Sequence, residues 1–455
     1  MKSYFLLNRN FIVIFLLWIV SGAVSPYITY ALIPLSLIYF RSKEMYGELL
    51  VGFLFVLIFS DSRQVTFAFA DNIKNVYAVF LGLFMVMDAP RFRPMDNLIK
   101  LFLPFLIIAY LSVMFSPIML TSLQKTFSFT LLLIIVPNYV IVALKKEGWV
   151  FLHMLLWSLI AFLFAGLVLK YISLNFVTLS GRYSGLMGNP NSIGLFSITT
   201  LVFITILSEF NPKILSRREL IIAYAIIIAS LIFSGSRNAM FAGLIFLMFR
   251  VFYKLSPAIG FFIFIVMVVV YQYVQANFAS IVIALGIEQF FRLETLNSGS
   301  GRFVAWEFGL EWIDKSPVIG GGWGFTEDLY TKYKEILSIR GHQGNAHNSY
   351  ITFWLDTGFI GLVLYLFGFL RAFFRSAKYT RSAIPLMYAV LFHAFFESWL
   401  TGSLNPFTIQ LVILLTLMTY IPQIEAADKE KEAEEEGEVL SSEEDPRQSS
   451  ARPAF

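Results

Sequence analysis

Between residues 10 and 421 the chain keeps returning to apolar runs of about 14–22 residues, and a hydrocarbon core needs about 20 helical residues to be crossed. Inside a bilayer no water satisfies the backbone, so only helices or closed barrels can span it. Alternating strands of about ten residues are not seen, which leaves helices. Composition agrees: 58% of the residues are hydrophobic and 14% charged, against roughly 25% charged in a soluble domain. The expected fold is an all-α polytopic membrane protein with about 12–14 transmembrane helices and one long extracytoplasmic loop.

Other features narrow the class. The net charge of +4 gives no reason to expect nucleic acid as a partner, and the lack of cysteine excludes disulfides, thiolate metal sites and a cysteine nucleophile. Lys2 and Arg9 precede an apolar run ending at Ser21-Gly22-Ala23, which mimics a signal peptide. A second run, Tyr27 to Phe40, follows almost at once, so the first is read as an uncleaved span.

Spans are expected near 10–21, 26–40, 48–60, 75–88, 98–115, 124–144, 149–170, 190–208, 219–234, 238–250, 257–276, 347–370, 383–396 and 404–421. Alternate connecting loops then differ in charge. One set holds Lys2 and Arg9; Arg41 and Lys43; Arg91, Arg93 and Lys100; Lys145 and Lys146; Lys213, Arg217 and Arg218; Arg250 and Lys254; and Arg371, Arg375, Lys378 and Arg381. The other short loops hold only Arg63, Lys74, Lys125, Lys170, Arg182 and Arg237. Excess Lys and Arg in short loops marks the cytoplasmic side, so both termini are expected in the cytoplasm.

Five regions follow. Residues 1–170 form the N-terminal transmembrane helices, and 171–276 the helices carrying the arginine motifs. Residues 277–346 make the long outer loop with an interfacial helix, and 347–424 the C-terminal helices. Residues 425–455 are an acidic cytoplasmic tail whose composition predicts disorder.

Four segments on the expected outer side carry chemistry. In Gly181-Arg182 through Asn189-Pro190-Asn191, Asn189 suits an N-cap and Pro190 the first helical position, so a helix N-terminus with its free N–H groups faces outward beside Arg182. Such ends bind phosphate, and an arginine adds a planar bidentate donor. In Ser234-Gly235-Ser236-Arg237-Asn238, Ser236 is placed to cap the next span and Arg237 sits in its first turn. A cation there opposes the helix dipole by about 0.3–1 kcal/mol and costs more in the membrane. A bound anion would offset both, as would a carboxylate such as Glu397 or Asp61.

In the third segment, Arg302 begins a stretch in which Phe303, Trp306, Leu310 and Ile313 recur at spacings of three and four, an amphipathic helix suited to the membrane surface. Pro317 and Gly320-Gly321-Gly322-Trp323-Gly324 follow. That glycine run permits close backbone approach to a ligand, though such runs are more often turns. The fourth segment, Ala346-His347-Asn348-Ser349, opens the twelfth span. Histidine exchanges its proton near neutral pH, which makes His347 the candidate general base. His153 and His393 lie within apolar spans, where packing or hydrogen bonding suffices, and His342 in the loop is the competitor. Two loop histidines without a third ligand do not make a zinc site, so no metal or cofactor is expected.

Taken in order, Arg182 with Asn189-Pro190-Asn191, Ser236-Arg237, Gly301-Arg302 with Trp306, Pro317 and Gly320-Gly321-Gly322, and His347-Asn348 with Gly358 and Gly361 resemble the O-antigen ligase and polymerase superfamily of bacterial polysaccharide enzymes, over roughly residues 180–365. The resemblance implies an inverting, metal-independent membrane glycosyltransferase of the C type, at work on the periplasmic face of the inner membrane. Its donor is a glycan on undecaprenyl diphosphate, and its acceptor is lipid A–core or a growing glycan. It implies Arg182 and Arg237 as diphosphate binders, Arg302 as a further site arginine and His347 as the base. Asn189, Asn191, Ser236 and Asn348 stand as possible support. Ligation of O-antigen to lipid A–core is the first expectation, with chain polymerisation or protein O-oligosaccharyl transfer as alternatives. From another class, a transporter of small anions would also bury arginines among many spans. It should place them near the midplane of two matching, broken-helix halves, whereas here they cluster at one face.

Overall fold

The computed structural model describes residues 8–252, 256–284, 301–342 and 344–423. Lys2, residues 285–300 of the outer loop and the acidic tail from residue 425 lie outside the described residues.

A helix stands at each expected span. The first seven are α1 (Arg9–Val24), α2 (Pro26–Ser42), α3 (Tyr46–Ser60), α4 (Phe69–Met87), α5 (Leu98–Val113), α6 (Met119–Glu147) and α7 (Trp149–Ile172). A two-stranded antiparallel hairpin follows, β1 (Thr178–Leu179) with β2 (Arg182–Tyr183). Next come α8 (Pro190–Phe210), α9 (Arg217–Ser234), α10 (Arg237–Val251), α11 (Pro257–Ala276) and the short α12 (Phe278–Ala284). The outer segment contributes α13 (Arg302–Ile313), α14 (Phe325–Lys332) and α15 (Lys334–Ile339). The chain closes with α16 (Ser349–Ser376), α17 (Ala383–Ala394) and α18 (Pro406–Gln423). Among the described residues, six helices are long and apolar enough to cross a membrane: Val65–Met87, which takes in α4, together with α6, α7, α8, α16 and α18. Shorter apolar helices fill several of the other positions, α1, α3, α5 and α17 among them.

Local signals explain the helix starts. Asn189 caps α8, its Oδ1 accepting from Asn191 N at 2.8 Å and Ser192 N at 3.0 Å, with Pro190 at the first position. Asn348 does the same for α16, accepting from Tyr350 N at 2.9 Å and Ile351 N at 3.1 Å. At α9 Ser216 and Glu219 form a capping box.

Ion pairs sort the ends of the bundle. Arg41 pairs with Asp88, Arg91 and Lys146 with Glu44, Arg250 and Arg381 with Glu209, and Arg375 with Asp96. Every one of these joins loops that the charge count assigned to the same basic set. Lys125 pairs with Glu327, Arg302 with Glu397 and His347 with Glu397, all within the other set. Among the described residues no ion pair crosses between sets. The loops thus lie at two ends, as the charge asymmetry requires.

Residues 301–342 are more ordered than the expected single helix in a loop. Three helices there enclose a small core of their own around Ala305, Phe308, Ile313, Leu329, Tyr330 and Leu337, against Ala346 and Leu355. The face of α13 packed into this core is Ala305, Phe308, Gly309 and Ile313. Phe303 and Leu310 of the expected stripe remain 57% and 48% exposed. Both faces of α13 are apolar, and periodicity alone could not say which one the cap would cover.

The glycine run has a packing role. Gly321 N donates to Leu355 O at 2.8 Å and Gly322 N to Asp356 O at 2.7 Å, while Phe359 N donates to Pro317 O at 2.9 Å. It therefore approaches another backbone, that of α16, where the helix breaks at Gly358 (φ 73°, ψ 177°). A Cβ at Gly358 would overlap the Val318 carbonyl, so only glycine fits the contact.

Candidate active site

Arg182 projects from β2. Its Nε and Nη2 both donate to Ser234 O, at 3.2 and 2.9 Å, and Nη2 also reaches Asn191 Oδ1 at 3.4 Å. Ser234 ends α9, so this cation sits at the negative end of a helix dipole. Two of the donors expected to face an anion are thus already committed to the fold. Burial, then the fields of Arg237 and Arg302, weakens Arg182's hold on its proton, and Glu397 opposes them. The three arginines therefore lie within one another's electrostatic reach.

Arg237 is exposed at the start of α10, just past the turn at Gly235. Ser236 occupies the N-cap position, but its side chain does not cap. Its buried Oγ has no hydrogen-bond partner among the described residues. Ser234 Oγ instead accepts from Ser236 N at 3.1 Å. The expected side-chain cap is therefore not made, and Ser236 lies against Gly194 of α8.

Arg302 opens α13 after Gly301, whose positive φ of 64° brings it against the Gly341 carbonyl and His342. A Cβ there would stand 2.5 Å from Gly341 O. This contact docks the start of α13 onto the segment leading to His347. Arg302 Nη2 donates to Glu397 Oε1 at 3.2 Å. With its nitrogen turned toward the Tyr271 hydroxyl (2.6 Å), the Asn238 amide accepts from Arg302 Nη1 at 3.0 Å. The guanidinium also lies 5.9 Å from the Phe396 ring centre.

His347 sits just before the Asn348 cap with φ 45°, a left-handed conformation uncommon outside glycine. Its backbone N donates to Asn345 Oδ1 at 2.9 Å. The ring Nδ1 is 3.1 Å from Glu397 Oε2. With the proton of a neutral ring on Nδ1, the Nε2 lone pair is left to accept. Nε2 passes over Gly344, where an added Cβ would stand 3.1 Å away. His342, the competitor, is buried with Nε2 against Asn345 O at 3.1 Å, a packing role.

Glu397 is the residue that sequence reasoning passed over, having considered it only as an alternative partner for Arg237. It meets Arg302, His347 and Asn191, whose Nδ2 donates to Glu397 Oε1 at 2.7 Å. Burial pushes the Glu397 carboxyl up, but the hydrogen bond from His347 and the charges of His347, Arg302 and His393 bring it below the ordinary glutamate value. Its backbone is pinned as well: Ser349 Oγ donates to Glu397 O at 2.7 Å, and Asn348 N to Ser398 Oγ at 3.0 Å. A signal was present in the chain. Glu397 is the sole Asp, Glu, Lys or Arg between Arg381 and Glu425, and isolated charge in an apolar stretch is seldom idle.

The eight candidate residues thus come together at one end, through direct bonds or as neighbours in sequence of bonded residues. Chemically, the assembly offers exposed guanidinium charge for an anion next to an imidazole oriented by a carboxylate.

Residues 222–366 match the family model for O-antigen ligase. The matched span includes Arg237, Arg302 and His347, while Arg182, Asn191 and Glu397 lie outside it. No curated protein matches the chain. With its set of apolar helices, this multi-pass membrane protein is, over residues 222–366, similar to the O-antigen ligase and polymerase superfamily, the membrane glycosyltransferase-type proteins of O-antigen and polysaccharide assembly.

Proposed function

We propose that the chain is an inverting, metal-independent glycosyltransferase that moves a glycan from undecaprenyl diphosphate to an acceptor hydroxyl on the periplasmic face. Ligation to lipid A–core is the favoured outcome. The observation that carries this reading is the convergence of Arg182, Arg237 and Arg302 with the His347–Glu397 pair at a single end of the bundle.

His347 Nε2 takes the proton of the acceptor hydroxyl as that oxygen attacks the anomeric carbon. The bond from that carbon to the diphosphate oxygen breaks on the opposite face, which inverts the configuration. Negative charge grows on the leaving diphosphate, and fixed guanidinium groups aimed at developing charge are worth about 10²–10³ in rate for a single donor. Glu397 holds the imidazole and stabilises the imidazolium that forms, the part a carboxylate plays behind a catalytic histidine. The lipid tail runs among the apolar helices, and both termini face the cytoplasm.

The test is transfer by purified protein from a lipid-linked glycan, with and without lipid A–core. Product on the core supports ligation, whereas lengthening of the lipid-linked chain without core identifies a polymerase. Absence of transfer together with flux of small anions in proteoliposomes would replace the reading with a transporter.

A further inference from the structure

Beside Glu397 lies a cavity of about 230 Å³. A single water needs only about 10–15 Å³ of such volume, and drug-sized ligands occupy roughly 300–1,000 Å³. The space therefore suits one or two small rings. Its wall is polar in a particular way, carrying the carboxylates Asp61, Glu327 and Glu397, the amides Asn191, Asn345 and Asn405, and the indole of Trp399. Neither lysine nor arginine lines it among the described residues. A wall with three carboxylates and no cation of its own disfavours a phosphate, so the diphosphate belongs with the arginines. Amides, carboxylates and an aromatic ring together are the groups that bind neutral or amino-bearing polyhydroxyl rings, by hydrogen bonds to hydroxyls and by apolar contact.

A second observation points to an occupant. His393 is 1% exposed and forms part of this wall. Its Nδ1 accepts from Trp399 Nε1 at 3.1 Å, which puts the proton of the neutral ring on Nε2. That buried Nε2 has no hydrogen-bond partner among the described residues. Buried donors are nearly always paired, and this one, closed off within the wall, would be paired by a ligand hydroxyl once the His393 ring shifts toward the cavity it lines.

We infer that this cavity is the acceptor subsite, holding a neutral or amino sugar of the acceptor glycan with the hydroxyl to be glycosylated directed past Glu397 and Asn345 toward His347. The inference rests on the transfer reading above. The donor's first sugar brings its diphosphate with it, and the cavity wall offers that group no lysine or arginine. The acceptor has to bring only a hydroxyl.

The experiment measures binding to the full-length protein in detergent, so that it is read independently of turnover. The probes are delipidated, dephosphorylated core oligosaccharide, followed by tryptophan fluorescence, and inorganic pyrophosphate as the arginine-side control. His393→Phe removes the Nε2 donor and should weaken oligosaccharide binding at least tenfold, with His393→Gln restoring much of it and pyrophosphate binding unchanged. Leu195→Phe narrows the cavity from the α8 wall and should have the same effect. In a transfer assay both variants should raise the KM for acceptor and leave that for donor alone. Oligosaccharide binding at wild-type strength in either variant, with wild-type elution and melting temperature, overturns the subsite. Loss of pyrophosphate binding in parallel overturns it too, since the defect would then be general. If transfer is never observed but the oligosaccharide binds and responds to these variants, the subsite stands while the transfer reading falls.

Discussion

His347 and Glu397, fifty residues apart, meet at 3.1 Å through Nδ1 and Oε2. The same carboxylate holds Arg302 and Asn191 through its other oxygen. A single side chain thus ties the candidate base to the candidate anion site, and the predictions below begin from that tie.

Removing the base should stop the chemistry without unfolding the protein. His347→Ala should lower kcat by about 10²–10⁴ while membrane insertion and melting temperature stay near wild type. Purified variant assayed with lipid-linked donor gives the answer, and undiminished turnover would reject the base assignment.

Arginine geometry should matter beyond charge. Arg237→Ala is expected to cost on the order of 10² in rate. Arg237→Lys should recover little of it, because an ammonium cannot present the planar fork. Equal activity of the lysine variant would show that point charge alone suffices.

Acid should dissolve the contribution of Glu397. Its folded-state pKa lies below the ordinary value of 4.5, so the stability from its pairings is complete above that value and disappears as pH falls through the lower folded one. The melting-temperature gap between wild type and Glu397→Gln should therefore hold steady from about pH 7 to about pH 5 and close at more acid pH. A gap that instead widens on acidification contradicts the assignment.

Backbone contacts that carry the site should be intolerant of a single methyl. Gly301→Ala places a Cβ against Gly341 O on a left-handed residue, at a strain of roughly 1–3 kcal/mol. A lower melting temperature and a shifted Arg302 should follow, read as lost stability together with weakened pyrophosphate binding. A variant as stable and active as wild type would show that the docking of α13 is dispensable.

Orientation is open to a direct check, since the chain has no cysteine. Arg340→Cys in the outer cap should react with an impermeant maleimide added to intact spheroplasts. Lys213→Cys, between α8 and α9, should react only after permeabilisation. The reverse pattern would invert the proposed topology.

Much of the fold was legible because apolar runs and basic loops are long-range averages that no single residue can upset. Helix starts at Asn189 and Asn348 were readable because capping is local. The site was legible where charge is costly, at Arg182, Arg237, Arg302 and His347. Glu397 escaped because its partners come from three distant segments, and sequence spacing holds no record of such meetings. That Ser236 leaves α10 without a side-chain cap escaped as well, since its side chain is buried beside Gly194, far off in sequence. The helical cap over 301–342 was hidden by the shortness of α14 and α15, eight and six residues, which show little periodicity.

The bond between Asn191 and Glu397 spans 206 residues. During synthesis, the arginines of the middle region emerge and insert long before Glu397 leaves the ribosome. Until then His347 has no carboxylate to orient it, and Arg302 has no counter-ion. A chain that stops short of residue 397 therefore lacks the side chain that joins these segments into one site.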